Sequence, residues 1–512
     1  MDAQTQASNT RLIARNTVLL YVRMLFLLII GLYTSRVVLH ALGETDAGIY
    51  NVVGGVVALF SVISGALSAA ITRFLTFEMG KSGDNDKLAV IFSSSVTIQL
   101  FIALIIVILA EPVGIWYIAN KMTIDPARIP AANWVLQFSI LTFVIDLVSV
   151  PYNAAIIAHE RMKGFAAIGI GEGLGKLAVA LVIARCAGDR LILYAALMCV
   201  VAVGVRLAYG IYCRRFPECR FRFCWDGALL KQMFSFAGWN FIGASSGVIK
   251  DQGATILINH FSGLGANAAR WVALQLSGAV QNFSTNFMTA LNPQITKSYA
   301  AGEKDYVEKL LFKGAKFSFY LLLLLGLPVL MNTEYLMGLW LKEVPEHAVS
   351  FARLALVLAM CECLSKPLIT AMLATGDIKL YQIIVGGLQL LNIPVSYVCL
   401  KLGCGPESVF WVAIIISQIC LGARLILLKG MIGLPSLDYL KTVYLNVILV
   451  SALSASIPLQ WQHFLPDGGI GCLFSCLICL VWTALVMFFV GLTPVERKTI
   501  LLHLRHKKNT AE

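Results

Sequence analysis

The chain has 512 residues, of which 58% are hydrophobic and only 13% are charged, and its mean hydropathy is +0.80. These values exclude a water-soluble globular domain and indicate a protein that crosses a membrane many times. The net charge of +12 does not indicate nucleic-acid binding, because most lysines and arginines fall in short loops on one side of the predicted membrane.

The predicted transmembrane helices follow from long runs of apolar residues. About 20 apolar residues in a helix cross the roughly 30 Å hydrocarbon core of a bilayer. The predicted spans are 17–40, 50–74, 88–110, 132–158, 164–187, 191–212, 233–258, 268–291, 311–331, 348–375, 378–402, 407–430, 437–459 and 468–491. The expected fold class is therefore an all-α polytopic membrane protein with about 14 transmembrane helices.

The lysines and arginines of the loops predict the orientation of the chain. Far more of them lie on the side of the amino terminus than on the opposite side. Because such residues stay on the cytoplasmic side of short loops, both termini are predicted to be cytoplasmic. This placement requires an even number of spans.

Spans 4 and 10 contain matching residues at a constant offset of 216 positions. Asp146, Ser149, Pro151, Ala155, Ala158 and Lys163 are matched in type by Glu362, Ser365, Pro367, Ala371, Ala374 and Lys379. A weaker match sets Thr76 and Gly83, after span 2, against Thr296 and Gly302, after span 8. The matches indicate an internal duplication, as in transporters built from two repeats.

The duplication predicts the domain organisation. The amino-terminal lobe is residues 1–212 with spans 1–6, a basic cytoplasmic linker follows at 213–232, and the carboxy-terminal lobe is 233–430 with spans 7–12. Residues 431–512 add spans 13 and 14 and a basic cytoplasmic tail. Because six spans are an even number, the two six-helix lobes are parallel repeats that share one orientation.

Charged residues within the spans are the first candidates for function, since each costs about 2.5–3.5 kcal/mol at the centre of a helix in a bilayer. The basic residues are Arg23, Arg36, Arg73, Lys176, Arg206, Lys250, Arg270, Arg353, Lys366 and Arg424. The acidic residues are Asp146, Glu172, Asp251 and Glu362. The excess of positive charge favours an anionic substrate.

The acidic residues of the spans are predicted to pair with these bases. Glu172 and Lys176, like Glu362 and Lys366, are spaced i, i+4, the favourable helical pairing, and Asp251 adjoins Lys250. These groups are either structural ion pairs or switchable pairs in which a carboxylate takes a coupling ion, H⁺ or Na⁺. Asp146 has no base one turn away and is the leading single candidate for ion coupling.

Pro151 and Pro367 lie inside spans 4 and 10. Proline removes a backbone donor, so both helices are expected to kink. The kinks are either hinges for rocking of the lobes or features of packing alone.

Span 8 carries a polar stripe of Gln275, Asn282 and Asn286 at helical spacing. Because these amides cannot all face lipid, they contact a partner helix or line a vestibule for sugar or phosphate groups. The sequence contains no metal-binding motif and no hydrolytic or glycosyl-transfer constellation, so neither a metal, a cofactor nor a catalytic residue is predicted.

Two short segments carry a family resemblance. Residues 42–50, Leu-Gly-Glu-Thr-Asp-Ala-Gly-Ile-Tyr, fit the pattern Leu-Gly-x-x-x-x-Gly-x-Tyr, and 374–379, Ala-Thr-Gly-Asp-Ile-Lys, follow span 10. With the arrangement of six, six and two spans, the chain resembles the polysaccharide flippases of the multidrug, oligosaccharidyl-lipid and polysaccharide exporter superfamily.

The resemblance implies a V-shaped pair of lobes with a central cavity lined by spans 1, 2, 7 and 8. That cavity would take the head group of an undecaprenyl-diphosphate-linked oligosaccharide. Alternating access would move the head group from the inner to the outer leaflet of the bacterial plasma (inner) membrane for surface polysaccharide or lipopolysaccharide biosynthesis. The candidates for diphosphate contact are the basic residues of those spans, Arg23, Arg36, Arg73, Lys250 and Arg270.

Two other functions compete with a flippase. A cation-coupled multidrug exporter of the same superfamily is favoured by the acids in the spans but opposed by the excess of positive charge. A membrane-embedded glycan polymerase or transferase would need a large outer loop with catalytic residues, which the predicted topology lacks. The expected partners are an anionic lipid-linked oligosaccharide, membrane lipids, a coupling ion and proteins of glycan assembly, but no nucleic acid.

Overall fold

The computed structural model describes residues 3–58, 61–122, 124–186, 188–222, 226–341, 343–461, 468–494 and 496–497. Within this part of the chain the structure is helical and has no β-strand. Residues 223–225 of the predicted linker and 498–512 of the predicted basic tail lie outside the described residues.

Seventeen α-helices are described. In the first half they are α1 (Ala3–Ala58), α2 (Ser61–Lys81), α3 (Asn85–Asn120), α4 (Ile129–Ala158), α5 (Met162–Arg185), α6 (Arg190–Cys213) and α7 (Gly227–Ala300). In the second half they are α8 (Lys304–Met331), α9 (Thr333–Trp340), α10 (Ala348–Cys363), α11 (Lys366–Thr375), α12 (Lys379–Leu390), α13 (Asn392–Lys401), α14 (Ser408–Ile432), α15 (Ser436–Tyr439), α16 (Leu445–Trp461) and α17 (Gly469–Val486).

The described helices account for the predicted number of spans. Eleven helical segments are each long and apolar enough to cross a membrane. The long helix α7 is interrupted at Gly263, so it supplies two more spans, and α2 supplies another. The prediction of an all-α membrane protein with about 14 spans is confirmed.

Glycines mark equivalent positions in the two halves of the chain. Gly43 interrupts α1 with a φ of 77°, and Gly263 interrupts α7 with a φ of 81°. Gly83 and Gly302 also have positive φ, 61° and 75°. Since only glycine adopts such angles without strain, each half uses glycine at the same two backbone turns. The structure thus repeats the duplication seen in the sequence.

A polar contact between the starts of two helices is repeated as well. Arg128 Nη1 donates to Asp189 Oδ2 at 2.8 Å, between the starts of α4 and α6. In the second half, His347 Nδ1 lies 2.6 Å from Glu407 Oε1, between the starts of α10 and α14. Spans 4 and 6 are therefore joined at one end in the same way as spans 10 and 12.

The chain forms two compact packing units. Unit 1 is Met1–Ser245, Thr289–Glu303 and Gly376–Ile378, and unit 2 is Ser246–Met288, Lys304–Thr375 and Lys379–Glu512. The core of unit 1 includes Leu136 and Leu147 of α4, and that of unit 2 includes Phe351 and Phe410. Helix α7 contributes to both units, whereas the lobe boundaries at 212, 233 and 430 stay predictions.

The two membrane prolines have different surroundings. Helix α4 continues through Pro151. In the second half α10 ends at Cys363 and α11 begins at Lys366, immediately before Pro367. Ser365 N donates to Glu362 O at 3.1 Å in a tighter three-residue turn. Only the second span is interrupted at its proline, and the hinge role of either proline stays a prediction.

Candidate functional site

Unit 1 contains a cavity of about 660 Å³ between α1, α5 and α6. Its polar lining residues are Arg23, Thr34, Ser35, Asn51, Glu172, Lys176, Tyr50 and Tyr194. Glycines of α5 allow α1 to approach: a Cβ at Gly169 would lie 2.8 Å from Nη2 of Arg23, and one at Gly173 would lie 2.5 Å from Cδ2 of Leu27. The glycines of α5 thus serve close helix packing.

The charges of this cavity are only partly balanced. Lys176 Nζ donates to Glu172 Oε1 at 2.6 Å, which confirms the predicted i, i+4 pair. The Arg23 guanidinium lies over the ring of Phe165, 4.3 Å from its centroid. Nε of Arg23 is buried and has no hydrogen-bond acceptor among the described residues. The cavity therefore offers one positive charge in excess, which suits an anion.

Asp146 lines a second cavity of unit 1, of about 190 Å³. Tyr50, Ser139 and Thr142 contribute to the same lining. Asp146 is exposed, and in the described part of the chain no cationic side chain lies within 4.0 Å of its carboxylate. An unpaired carboxylate in the middle of a span is available to a proton or a metal cation.

In unit 2, Lys250 lies between two carboxylates. Its Nζ is 3.2 Å from Glu362 Oε1 and 3.6 Å from Asp251 Oδ1. The predicted pair of Glu362 with Lys366 is wrong, since Lys366 Nζ donates to Thr285 Oγ1 at 3.0 Å. The interruption between α10 and α11 removes the i, i+4 geometry on which that pair depends.

Arg270 and the polar stripe of α7 also belong to unit 2. Arg270 is 7% exposed, and its Nη1 donates to Thr255 Oγ1 at 2.7 Å. With Lys250 and Asp251 it lines a small cavity of about 40 Å³. Gln275 and Asn282 are exposed on the surface of unit 2, and Asn286 Nδ2 donates to the backbone oxygen of Asn282 at 2.9 Å.

The five arginines and lysines predicted to contact diphosphate do not share one cavity. Arg73 lies among the rings of Phe74, Phe77 and Phe236, at 4.8, 4.4 and 5.7 Å from their centroids. Arg36 is exposed on α1. Arg23 lines the large cavity of unit 1, while Lys250 and Arg270 belong to unit 2. Their contact with substrate stays a prediction.

Two features were missed by sequence reasoning. Arg424 lines a cavity with Lys250 and Lys366, a grouping that the sequence did not predict. Glu160 binds Lys297 Nζ and Gln294 Nε2, both at 2.6 Å, within unit 1. The segment Gly204-Val205-Arg206-Leu207 matches Gly422-Ala423-Arg424-Leu425, so the duplication marks the position of this arginine but not its place in a cavity.

The described residues contain no group of three or more His, Cys, Asp or Glu side chains that could hold a metal ion.

Residues 13–299, more than half of the chain, match the model of a family described as polysaccharide biosynthesis protein. The chain belongs to this family. Residues 254–398 match a second family model, MatE. Among curated proteins, none matches the sequence significantly. This polysaccharide biosynthesis family member is a multi-pass membrane transporter of the MOP superfamily, and family and fold together indicate a transporter rather than an enzyme.

Solved transporters share the fold of this family member. A MATE transporter with a proline-to-alanine substitution is 12% identical, with a TM-score of 0.72 over 83% of this chain and 96% of that chain. A MOP superfamily transporter from Pyrococcus furiosus is 13% identical, with a TM-score of 0.70 over 83% and 96%. A MATE transporter in complex with Rb⁺ is 13% identical, with a TM-score of 0.67 over 81% and 94%.

Proposed function

We propose that the protein is a flippase that moves undecaprenyl-diphosphate-linked oligosaccharide from the inner to the outer leaflet of the bacterial plasma membrane by alternating access. The observation that carries the proposal is the positively charged cavity around Arg23 in a chain of the polysaccharide biosynthesis family. The glycan would serve surface polysaccharide or lipopolysaccharide, and both termini would be cytoplasmic.

The cavity of unit 1 supports capture of a phosphate group. A guanidinium offers planar paired donors that match phosphate oxygens, and Nε of Arg23 has no acceptor among the described residues. Lys176 is held by Glu172 at 2.6 Å and becomes a second phosphate ligand when it turns away from that carboxylate. The volume of about 660 Å³ lies in the range of small-molecule sites, so it suits part of a head group while the lipid tail stays in the bilayer.

The coupling of transport to an ion is assigned to Asp146 in this proposal. Glu172, Asp251 and Glu362 each have a lysine within 4.0 Å, whereas Asp146 has no such partner in the described chain. Binding of H⁺ or Na⁺ at Asp146 would remove an uncompensated charge from the span, and its release would restore that charge. Ion binding is linked to substrate binding through the pair of Glu172 and Lys176. The phosphate of the substrate competes with Glu172 for the ammonium group of Lys176.

The direct test uses complementation of a bacterial strain that lacks its own flippase. Arg23→Gln is expected to reduce surface glycan and to cause a lipid-linked oligosaccharide to accumulate on the cytoplasmic leaflet. Arg206→Gln is the matched control, because Arg206 also lies over an aromatic ring of unit 1, Tyr152 at 3.8 Å, but does not line the Arg23 cavity. Normal surface glycan in both Arg23→Glu and Lys250→Glu would rule out the cationic mechanism.

A cation-coupled exporter of small molecules is the second candidate. It is supported by the MatE match over residues 254–398 and by the similarity to a MATE transporter solved with Rb⁺. In that case deletion of the protein would raise the sensitivity of the cells to drugs and leave lipid-linked oligosaccharides unchanged. Under the flippase proposal the lipid-linked intermediate accumulates and drug sensitivity does not change.

A further inference from the structure

A cluster of charged side chains in unit 2 surrounds a cavity of about 200 Å³. We call it the Arg424 cluster, and its charged members are Lys250, Glu362, Lys366 and Arg424. Polar side chains of Gln389, Asn392, Ser365 and Ser417 complete the lining. The cavity lies within unit 2 and shares no lining residue with the Arg23 cavity of unit 1.

The positive charges of the Arg424 cluster exceed its negative charges. Glu362 Oε1 accepts from Lys250 Nζ at 3.2 Å, and Asp251 Oδ1 lies 3.6 Å from the same nitrogen. Lys366 Nζ and Arg424 Nη1 instead contact hydroxyl groups, of Thr285 and Ser365, each at 3.0 Å. In the described chain neither Lys366 nor Arg424 has a carboxylate within 4.0 Å, so the three bases and these two acids leave an excess of positive charge.

Burial makes this excess of positive charge energetically unfavourable. Arg424 is only 5% exposed, and its Nε is a buried donor without an acceptor among the described residues. Charged groups within a bilayer require an opposite charge or water, and Arg270, on the other side of Asp251, adds a further positive charge nearby. An anion in the cavity would supply the opposite charge and an acceptor for Nε of Arg424.

The two halves of the duplication differ in this charge. Lys366 occupies the position of Val150 in the first half, at the same offset of 216 that relates Pro151 to Pro367. Arg206 corresponds to Arg424 but rests on the ring of Tyr152, 3.8 Å from its centroid. The first half thus holds its arginine against an aromatic ring, whereas the second half has Lys366 beside Arg424, and neither has a carboxylate within 4.0 Å among the described residues.

We propose that the Arg424 cluster binds a small inorganic anion, such as chloride or phosphate, between Lys366 and Arg424. A cavity of about 200 Å³ has room for about six water molecules, or for such an anion with part of its hydration shell. The ammonium group of Lys366 and the guanidinium group of Arg424 supply charge-assisted hydrogen bonds. Lys250 remains with Glu362 and Asp251. Binding of this anion can be tested without assuming the flippase activity proposed above.

Anion binding can be measured on the purified full-length protein in detergent, in gluconate buffer at constant ionic strength. Chloride and inorganic phosphate are titrated separately, with calorimetry and the melting temperature as readouts. A saturable signal with either anion supports the proposal, and chloride or phosphate is identified by the titration that saturates at the lower concentration. Absence of saturable binding of both anions overturns it.

Variants locate the site. Lys366→Val, which copies the first half, and Arg424→Gln are expected to weaken the affinity about tenfold to a hundredfold, the range for loss of a hydrogen bond to a charged group. Arg206→Gln is the matched control and should leave the affinity unchanged. Unaltered affinity in Lys366→Val and Arg424→Gln, or an equal loss in Arg206→Gln, contradicts the assignment.

The unchanged protein provides a test that does not depend on folding of the variants. In crystals grown with bromide, an anomalous peak is expected in the cavity between Lys366 and Arg424. Crystals grown with bromide that show no peak in this cavity overturn the proposal for halides. Arsenate replaces phosphate in the same experiment, and the absence of an arsenic peak in this cavity overturns the proposal for phosphate.

Discussion

At the scale of the residue, Gly169 and Gly171 of α5 differ in whether they contact Arg23, which lines the cavity of unit 1. A Cβ at Gly169 would lie 2.8 Å from Nη2 and 2.9 Å from Cζ of Arg23, whereas a Cβ at Gly171 would meet nothing within 4 Å. Gly169→Ala should displace the guanidinium because a contact this short is not tolerated. The expected result is reduced surface glycan with normal amounts of folded protein in the membrane.

Gly171→Ala is the control for that experiment. Alanine has the higher helix propensity, by about 1 kcal/mol, so this variant should keep full activity and fold at least as well as the unchanged protein. Equal activity of the two variants would show that the position of Arg23 does not matter for transport.

Glu218 gives a prediction about pH in the turn after α6. Burial alone would raise the pKa of Glu218, but hydrogen bonds from His159 and from the backbone outweigh it and lower the pKa below 4.5. A lowered pKa in the folded state means that the stabilisation is present above the unfolded value and is lost as the pH falls through the folded value. Glu218→Gln should cost about 1.5–3 kcal/mol at pH 7.

The effect of Glu218→Gln should begin to shrink as the pH falls below about 4.5, where the carboxyl of the unfolded chain takes up its proton, and should be lost once the pH lies below the lowered pKa of the native carboxyl. Melting curves of both proteins at pH 7, 5 and 4 test the sign. The prediction fails when the difference in melting temperature is the same at all three values. The ring of His159, which stacks on Phe216 with centroids 4.0 Å apart, stays in place in either case.

At the scale of the element, continuous helices were predictable and their interruptions were not. The apolar runs predicted the spans, and the i, i+4 rule predicted the pair of Glu172 and Lys176, because α5 is unbroken from Met162 to Arg185. The same rule failed for Glu362 and Lys366, since two turn residues separate α10 from α11. Proline signals a bend but does not determine where the backbone hydrogen bonds end.

Helices α16 and α17 follow the duplicated part, and a buried ion pair fixes their end to α8. Lys316 Nζ donates to Glu496 Oε2 at 2.8 Å and to Gly491 O at 3.2 Å, and both side chains are buried. Lys316→Met should destabilise the protein by about 3–5 kcal/mol, because it leaves a buried carboxylate without its partner.

A double variant separates the cost of the lone charge from the value of the pair. Lys316→Met combined with Glu496→Leu should recover most of the lost stability, since replacing both members of a buried pair by apolar residues is often neutral. Thermal unfolding of the purified protein measures both changes. A double variant as unstable as the single one would show that the contact with Gly491 O, rather than charge, is responsible.

At the scale of the whole molecule, the sequence reveals how many charges lie in the membrane but not how they are grouped. The excess of bases over acids was apparent from composition along the spans. Folding places Arg23 with Lys176 and Glu172 in unit 1, and Lys250, Lys366 and Arg424 together in unit 2. Those groupings depend on which faces of distant helices pack against each other. The spacing of residues within one span does not reveal which other helix that span contacts.

Asp146 should determine how transport depends on the proton gradient. In Asp146→Asn the side chain is permanently neutral and takes no proton, so the rate at which surface glycan appears should fall by about tenfold, within the range of a typical coupling energy. The remaining rate should no longer respond to a protonophore. Ser139→Ala, which alters a neutral residue of the same cavity, should retain both the rate and the response. A response to the protonophore that is unchanged in Asp146→Asn would exclude proton coupling at this carboxylate, and a rate that depends on Na⁺ in the unchanged protein alone would assign the coupling to sodium instead.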